Sequence, residues 1–159
     1  MYSIVGVGKG VKNLMQCFDQ YKEYKTFYLD EEALGNFSSM ADYENNFPTT
    51  AIRKTLKSIT KNSEVLYVLE GGDPISGATL RILEVIKRAK TTVLYVVPDR
   101  DILTDQEKYN ESLTFRALQD IARCGDLEQI ILVDLNRVEM FLGDIPLENY
   151  DAILAHNIV

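Results

Sequence analysis

The reading of the chain turns on EVLYVLEGGDPISGATLRILEVIKRAK, residues 64–90. An apolar run, 64–69, enters a glycine turn and leaves it straight into a stretch in which Ala78, Ile82, Val85, Ile86 and Ala89 recur at helical spacing. Strand, glycine turn and helix in that order make a phosphate-binding loop when the turn presents bare backbone N–H groups at the helix start. Here the turn holds Asp73 and Pro74 instead. Aspartate at an N-cap accepts the orphan N–H groups of the first turn, and proline in the first helical position has no N–H to lose. Those donors are then taken, and a carboxylate adds like-charge repulsion of order 1 kcal/mol or more toward an incoming phosphate. Ile75 places a side chain beside them. The turn is expected to be a self-satisfied cap rather than a phosphate cradle.

Working outward, the same alternation repeats. Residues 2–7, YSIVGV, run into Gly6, Gly8 and Gly10 and then a helical stretch with Val11, Leu14, Met15 and Phe18 on one face. KTFYL at 25–29 is a second strand ending at Asp30, followed by a short turn or helix start. Residues 35–48, GNFSSMADYENNFP, show no clean period and read as a surface loop. A helix over 49–60 carries Ile52, Leu56 and Ile59 on one side. The strand at 64–69 and the helix near 74–89 follow, then TTVLYVVP at 91–98, a polar loop at 99–108, a helix from Asn110 stopped by Gly125, and QIILVDL at 129–135. Pro146 could start a last helix. Five apolar strands alternating with helices make a doubly wound, mostly parallel α/β sheet, Rossmann-like in class, in a single domain over 1–159.

Composition narrows the partners. A net charge of -7 disfavours nucleic acid, whose binding needs clustered Lys and Arg, and disfavours anionic membrane surfaces. No apolar run approaches the ~20 residues of a membrane span, and the N-terminus lacks the pattern of a signal peptide. Cys17 and Cys124 show no metal or redox spacing and are expected to be buried thiols of a cytoplasmic protein. His156 has no ligand partners at metal spacing. Asp99, Asp101 and Asp105 in one loop, and Asp42 and Glu44 in another, are either solvated loop residues or help for a Mg²⁺ held through phosphate oxygens.

In a doubly wound sheet, ligands bind beyond the carboxyl ends of the strands. The first turn, GVGKGVKN, offers an anion site at a helix start, with Lys9 and Lys12 nearby, or is simply a tight strand-to-helix turn. It is neither a Walker A motif nor GxGxxG, since Val11 stands at the third glycine. A Rossmann oxidoreductase is disfavoured by Val11 and by the lack of a proton-transfer histidine near the strand ends.

Several strings, in order, resemble the nucleotide-binding half of the tubulin and FtsZ family across nearly the whole chain. VGVGKGVKN, Val5 to Asn13, is similar to that family's first glycine loop. YLDEEAL, Tyr28 to Leu34, resembles the string that ends its second strand. GGDPISGA, Gly71 to Ala78, stands where the family has the glycine box GGGTGTGA, matching at Gly71, Gly72, Ser76, Gly77 and Ala78 and departing at Asp73, Pro74 and Ile75. TVLYVVP and LVDLNRVE are similar to later strings. The resemblance implies nucleotide-contacting positions at Gly8, Lys9, Gly10, Asn13, Asp30, Gly71, Gly72, Ser76, Gly77 and Asn136.

The family hydrolyses GTP between subunits, with acidic residues of a loop after its central helix. No match to that loop occurs in this sequence, and the chain is expected to lack the family's C-terminal half. The expectation is a degenerate tubulin/FtsZ-like domain with no catalytic residues, no metal and no cofactor of its own, without autonomous hydrolysis. It would bind other protein chains, itself included, as a structural or assembly element of a filament, ring or phage particle. Its place would be the cytoplasm or a virus particle assembled there. The alternative is a working GTP- or GDP-binding cytoskeletal protein with Mg²⁺.

Overall fold

The computed structural model describes residues 2–134. Asn136, Pro146 and His156 lie outside the described residues. Five strands form one all-parallel sheet in the order β2-β1-β3-β4-β5, where β1 is Tyr2–Val7, β2 Tyr24–Leu29, β3 Glu64–Glu70, β4 Lys90–Val97 and β5 Gln129–Asp134. This is the expected doubly wound α/β architecture, and the order is one of its two common forms. Winding reverses between β1 and β3. Val7 is level with Leu29 on one side and with Leu69 on the other, so the turns after β1, β2 and β3 leave the sheet together.

The strands form where β-branched and aromatic residues run together, and the central ones are covered on both faces. Val65 to Leu69 and Val93 to Val96 are buried without a break. Alternation then sorts the side chains into two cores. Val5, Val7, Tyr67, Leu69, Val93 and Tyr95 point to one face, where they meet Ile52, Ile75, Ile82 and Leu118. Ile4, Leu66, Val68 and Leu94 point to the other and meet α1, Lys12–Phe18. That helix buries Leu14, Met15 and Phe18, each contributing about 1.5–3 kcal/mol, and Val11 in the turn before it joins the same core. The edge strand β5 is different: Leu132 is 55% exposed, so its apolar run is not buried as those of the central strands are.

Two segments expected to be loops are helical. Within 35–48, α3 spans Met40–Asn45, after α2 at Glu31–Leu34 and before α4 at Thr49–Thr55. Ser39 caps α3 by accepting from the Asp42 N–H at 3.1 Å, and the buried Tyr43 ring stands edge-on to Phe37 at 5.1 Å. Asp42 and Glu44 therefore ride on a helix. In the second case, α6 begins at Asp105 rather than Asn110 and runs to Arg123. Its start is a capping box, in which Thr104 accepts from the Glu107 N–H and Glu107 accepts from the Thr104 N–H.

The helix after β3 also differs from expectation. Residues Pro74–Ala78 form a tight 3-10 segment, and α5 proper is Thr79–Val85. The expected buried thiols are corrected as well, with Cys17 half-buried and Cys124 exposed. No described helix is long and apolar enough to cross a membrane.

Candidate functional site

A crevice of about 210 Å³ opens at the winding reversal, lined by Gly8, Lys9 and Gly10 from the first turn, Glu70, Gly71, Asp73 and Ile75 from the second, and Ile102, Leu103 and Glu107 from the β4–α6 connection. Its position is where open α/β sheets place ligands. Its volume falls below the ~300–1,000 Å³ usual for small-molecule sites.

The first turn is held from its own side. Gly8 has φ 87°, a conformation that side chains rarely adopt, and its N–H donates to the Leu29 carbonyl at 3.0 Å. The Tyr28 hydroxyl donates to the Gly8 carbonyl at 3.1 Å. Above Gly10 stands the Glu70 carboxylate: a Cβ on Gly10 would come within 2.6 Å of Glu70 Oε2. A Cβ on Gly8 would meet the Ile75 methyl Cγ2 at 2.8 Å. The bare backbone of this turn is thus already approached by a carboxylate and a methyl group of the same chain.

The second turn follows the expected capping. Asp73 accepts from the Ile75 N–H at 3.0 Å, with Pro74 in the first helical position. The Ser76 hydroxyl donates to the Glu70 carbonyl at 3.2 Å, closing the turn on itself. Gly72 has φ 105°, and its carbonyl accepts from Asn110 Nδ2 at 3.2 Å in the interior. The Cα of Gly71 faces the Tyr95 hydroxyl and Glu111, and that of Gly77 faces the Met40 carbonyl, both with no room for a Cβ. These two glycines therefore answer a packing need.

The electrostatics are hostile to anions. Among the described residues lining the crevice, Glu70, Asp73 and Glu107 face a single cation, Lys9. Burial, then the charges of Asp30, Glu31 and Asp73, push the Tyr28 phenol above its ordinary value, so it stays a neutral donor. Behind Gly71, burial and then Glu111 push Tyr95 up, with Arg100 pulling the other way and Glu70 adding to the rise. Glu111, with its side chain 5% exposed, is paired with the largely exposed Arg100 guanidinium.

Of the positions implied by the resemblance, Gly8, Lys9, Gly10 and Gly71 come together on the crevice, and Gly72 lies directly behind it. Ser76 and Gly77 turn away and line a separate apolar groove with Met40 and Leu80. Asn13 is exposed on α1 and is not among the crevice residues. Asp30 caps α2, accepting from the Glu32 and Ala33 N–H groups at 3.0 and 3.3 Å. Asp99 caps its own turn through the Asp101 N–H at 3.1 Å, and Asp105 belongs to the first turn of α6, so the three aspartates do not share one loop. Among the described residues no group of His, Cys, Asp and Glu is arranged to hold a metal ion. Glu70, Ile102, Leu103 and Glu107 were not singled out by sequence reasoning. Only Glu107 had a local signal, the T-x-x-E of the capping box.

No family model matches this chain, and no curated protein matches it at a significant level.

Proposed function

We propose that this chain is a tubulin- and FtsZ-like domain in which the nucleotide site has been filled from within, and that it works as an assembly element binding other protein chains. The setting would be a filament, a ring or a virus particle. The observation that carries the reading is the crevice itself: Glu70 stands over Gly10, Ile75 over Gly8, and Asp73 occupies the Ile75 N–H. Each of these takes space or a donor that a phosphate needs. Each carboxylate that a phosphate must approach adds of order 1–4 kcal/mol of repulsion at about 4 Å, depending on screening.

The test is nucleotide retention and thermal shift. A ligand at 100 times its Kd adds about 2.7 kcal/mol to stability. Millimolar GTP or GDP with Mg²⁺ is expected to give no shift, and the purified protein no bound guanine absorbance. Self-association or a stable partner in its native assembly is expected from sedimentation and electron microscopy. A monomer without any partner would defeat the reading.

A second reading, a GTP- or GDP-binding domain with Mg²⁺, is favoured by the location of the crevice at the winding reversal and by exposed Lys9 at its side. Micromolar binding lost in Lys9→Ala would establish it over the first.

A further inference from the structure

On the sheet face opposite α1, a groove runs between α5 and α6. It opens beside α3 as a cavity of about 310 Å³ and continues, through the shared Leu80, into a second of about 250 Å³ toward the C-terminal end of α6. Along α6 its wall is Leu113, Ala117 and Ile121, a four-residue spacing that keeps one helix face turned to the groove over about 12 Å. Leu80 and Leu113 are 41% and 38% exposed, so apolar surface is open on both walls, and the small Ala117 leaves a hollow between its larger neighbours. Among the described residues, the charged ones on its lining are Glu44, Glu84 and Asp126 against one ammonium, Lys87. An apolar floor of this length with an acidic border is complementary to a helix with an apolar stripe and basic flanks.

We propose that the α5–α6 groove is a docking site for a basic amphipathic helix of a partner protein. It rests on the reading that this domain binds other protein chains, and it names the surface and the chemistry of one partner. Apolar side chains at i, i+3 or i+4 and i+7 of the incoming helix would seat beside Leu80 and over Ala117, and its Lys or Arg residues would face Glu44, Glu84 and Asp126. The net charge of -7 on the whole chain favours the same sign of partner.

The probe is a synthetic helical peptide about 18 residues long, with leucine on one stripe and lysine elsewhere, compared with its glutamate counterpart. The lysine peptide is expected to bind in the micromolar range and to move the amide resonances of Leu80, Ala117 and Ile121. The glutamate peptide should bind at least about tenfold more weakly. Ala117→Trp, which fills the hollow, should weaken the lysine peptide by about tenfold or more, and so should Glu44→Lys with Glu84→Lys. If Ala117→Trp does not fold, the charge-reversed pair, on surface side chains, carries the comparison. Equal binding of the two peptides, resonance shifts elsewhere, or full affinity in the charge-reversed protein overturns the proposal. A self-associated form dissolved by Ala117→Trp also overturns it, assigning the groove to a second copy and leaving the assembly reading standing. A protein that binds the peptide through the groove yet has no partner in its native source supports the groove and defeats the assembly reading.

Discussion

Gly77 turns its Cα hydrogen toward the Met40 carbonyl, backbone against backbone, while Gly10 turns toward the end of the Glu70 side chain. The two glycines look equivalent in a string and are unlike in space. A methyl group at 77 has to move backbone at the start of α3, whereas one at 10 displaces a side chain, Glu70, from its carboxylate at 2.6 Å back to its Cβ at 3.2 Å. Gly77→Ala is expected to cost about 1–3 kcal/mol, and Gly10→Ala clearly less, as read by urea midpoints at unchanged slope. Were Gly77 there to admit a phosphate, its alanine variant would lose ligand and keep its stability. Asp73 allows a similar separation of roles. Asp73→Ala should cost about 1 kcal/mol through the lost cap, and Asp73→Asn only a few tenths, because an amide oxygen still accepts the Ile75 N–H. Equal losses in the two would assign Asp73 to a charge effect instead. The cap itself was legible from Asp-Pro after paired glycines, since capping depends on residues one or two apart. What Glu70 does was not, because its carboxylate reaches a turn 60 residues earlier in the chain.

Helix α6 shows how one element ties the site together. Its N-terminus supplies Glu107 to the crevice, its next turn supplies Asn110 to the Gly72 carbonyl, and Glu111 packs against Gly71 while holding Arg100 of the preceding connection. Removing Arg100 leaves a buried carboxylate without its guanidinium, which is expected to cost about 1–3 kcal/mol even with water able to reach the arginine side. Arg100→Ala in a Glu111→Gln background should cost markedly less, and a double-mutant cycle measures the difference. Additive losses would mean that the pair is not coupled. The early start of α6 was available from Thr104 and Glu107, yet the charged run around them reads equally well as a polar loop. α3 was missed for a related reason: six residues are too few to establish a period, and its stability comes from Tyr43 on Phe37 and Met40 on Gly77.

Over the whole molecule, two tyrosines buried in the sheet set a limit on alkaline tolerance. Burial pushes both Tyr67 and Tyr95 well above the ordinary tyrosine value of about 10, and the hydrogen bond between the Tyr67 and Thr79 hydroxyls, 3.1 Å apart, offsets only a little of it for Tyr67. The folded state therefore keeps protons that the unfolded state gives up, so their contribution is complete below pH ~10 and is lost as pH rises above it. Stability should fall steeply in that range, with the tyrosinate absorbance of these two rising only as the protein unfolds, and Tyr67→Phe should flatten the fall. A titration of all the tyrosines without unfolding would contradict this. The sequence by itself determined the alternation of strands and helices, the central strands as continuous apolar runs, and the turns that line the crevice at the strand ends. Those features follow from periodicity and local caps, which act over a few residues. Only the tertiary structure decided that Glu70 and Ile75 stand over the first turn, that Gly71 and Gly77 answer packing needs, that Asn13 is not among the crevice residues, and that an open apolar groove lies between α5 and α6. Those depend on how distant segments meet across a sheet wound in both directions, which no local pattern encodes.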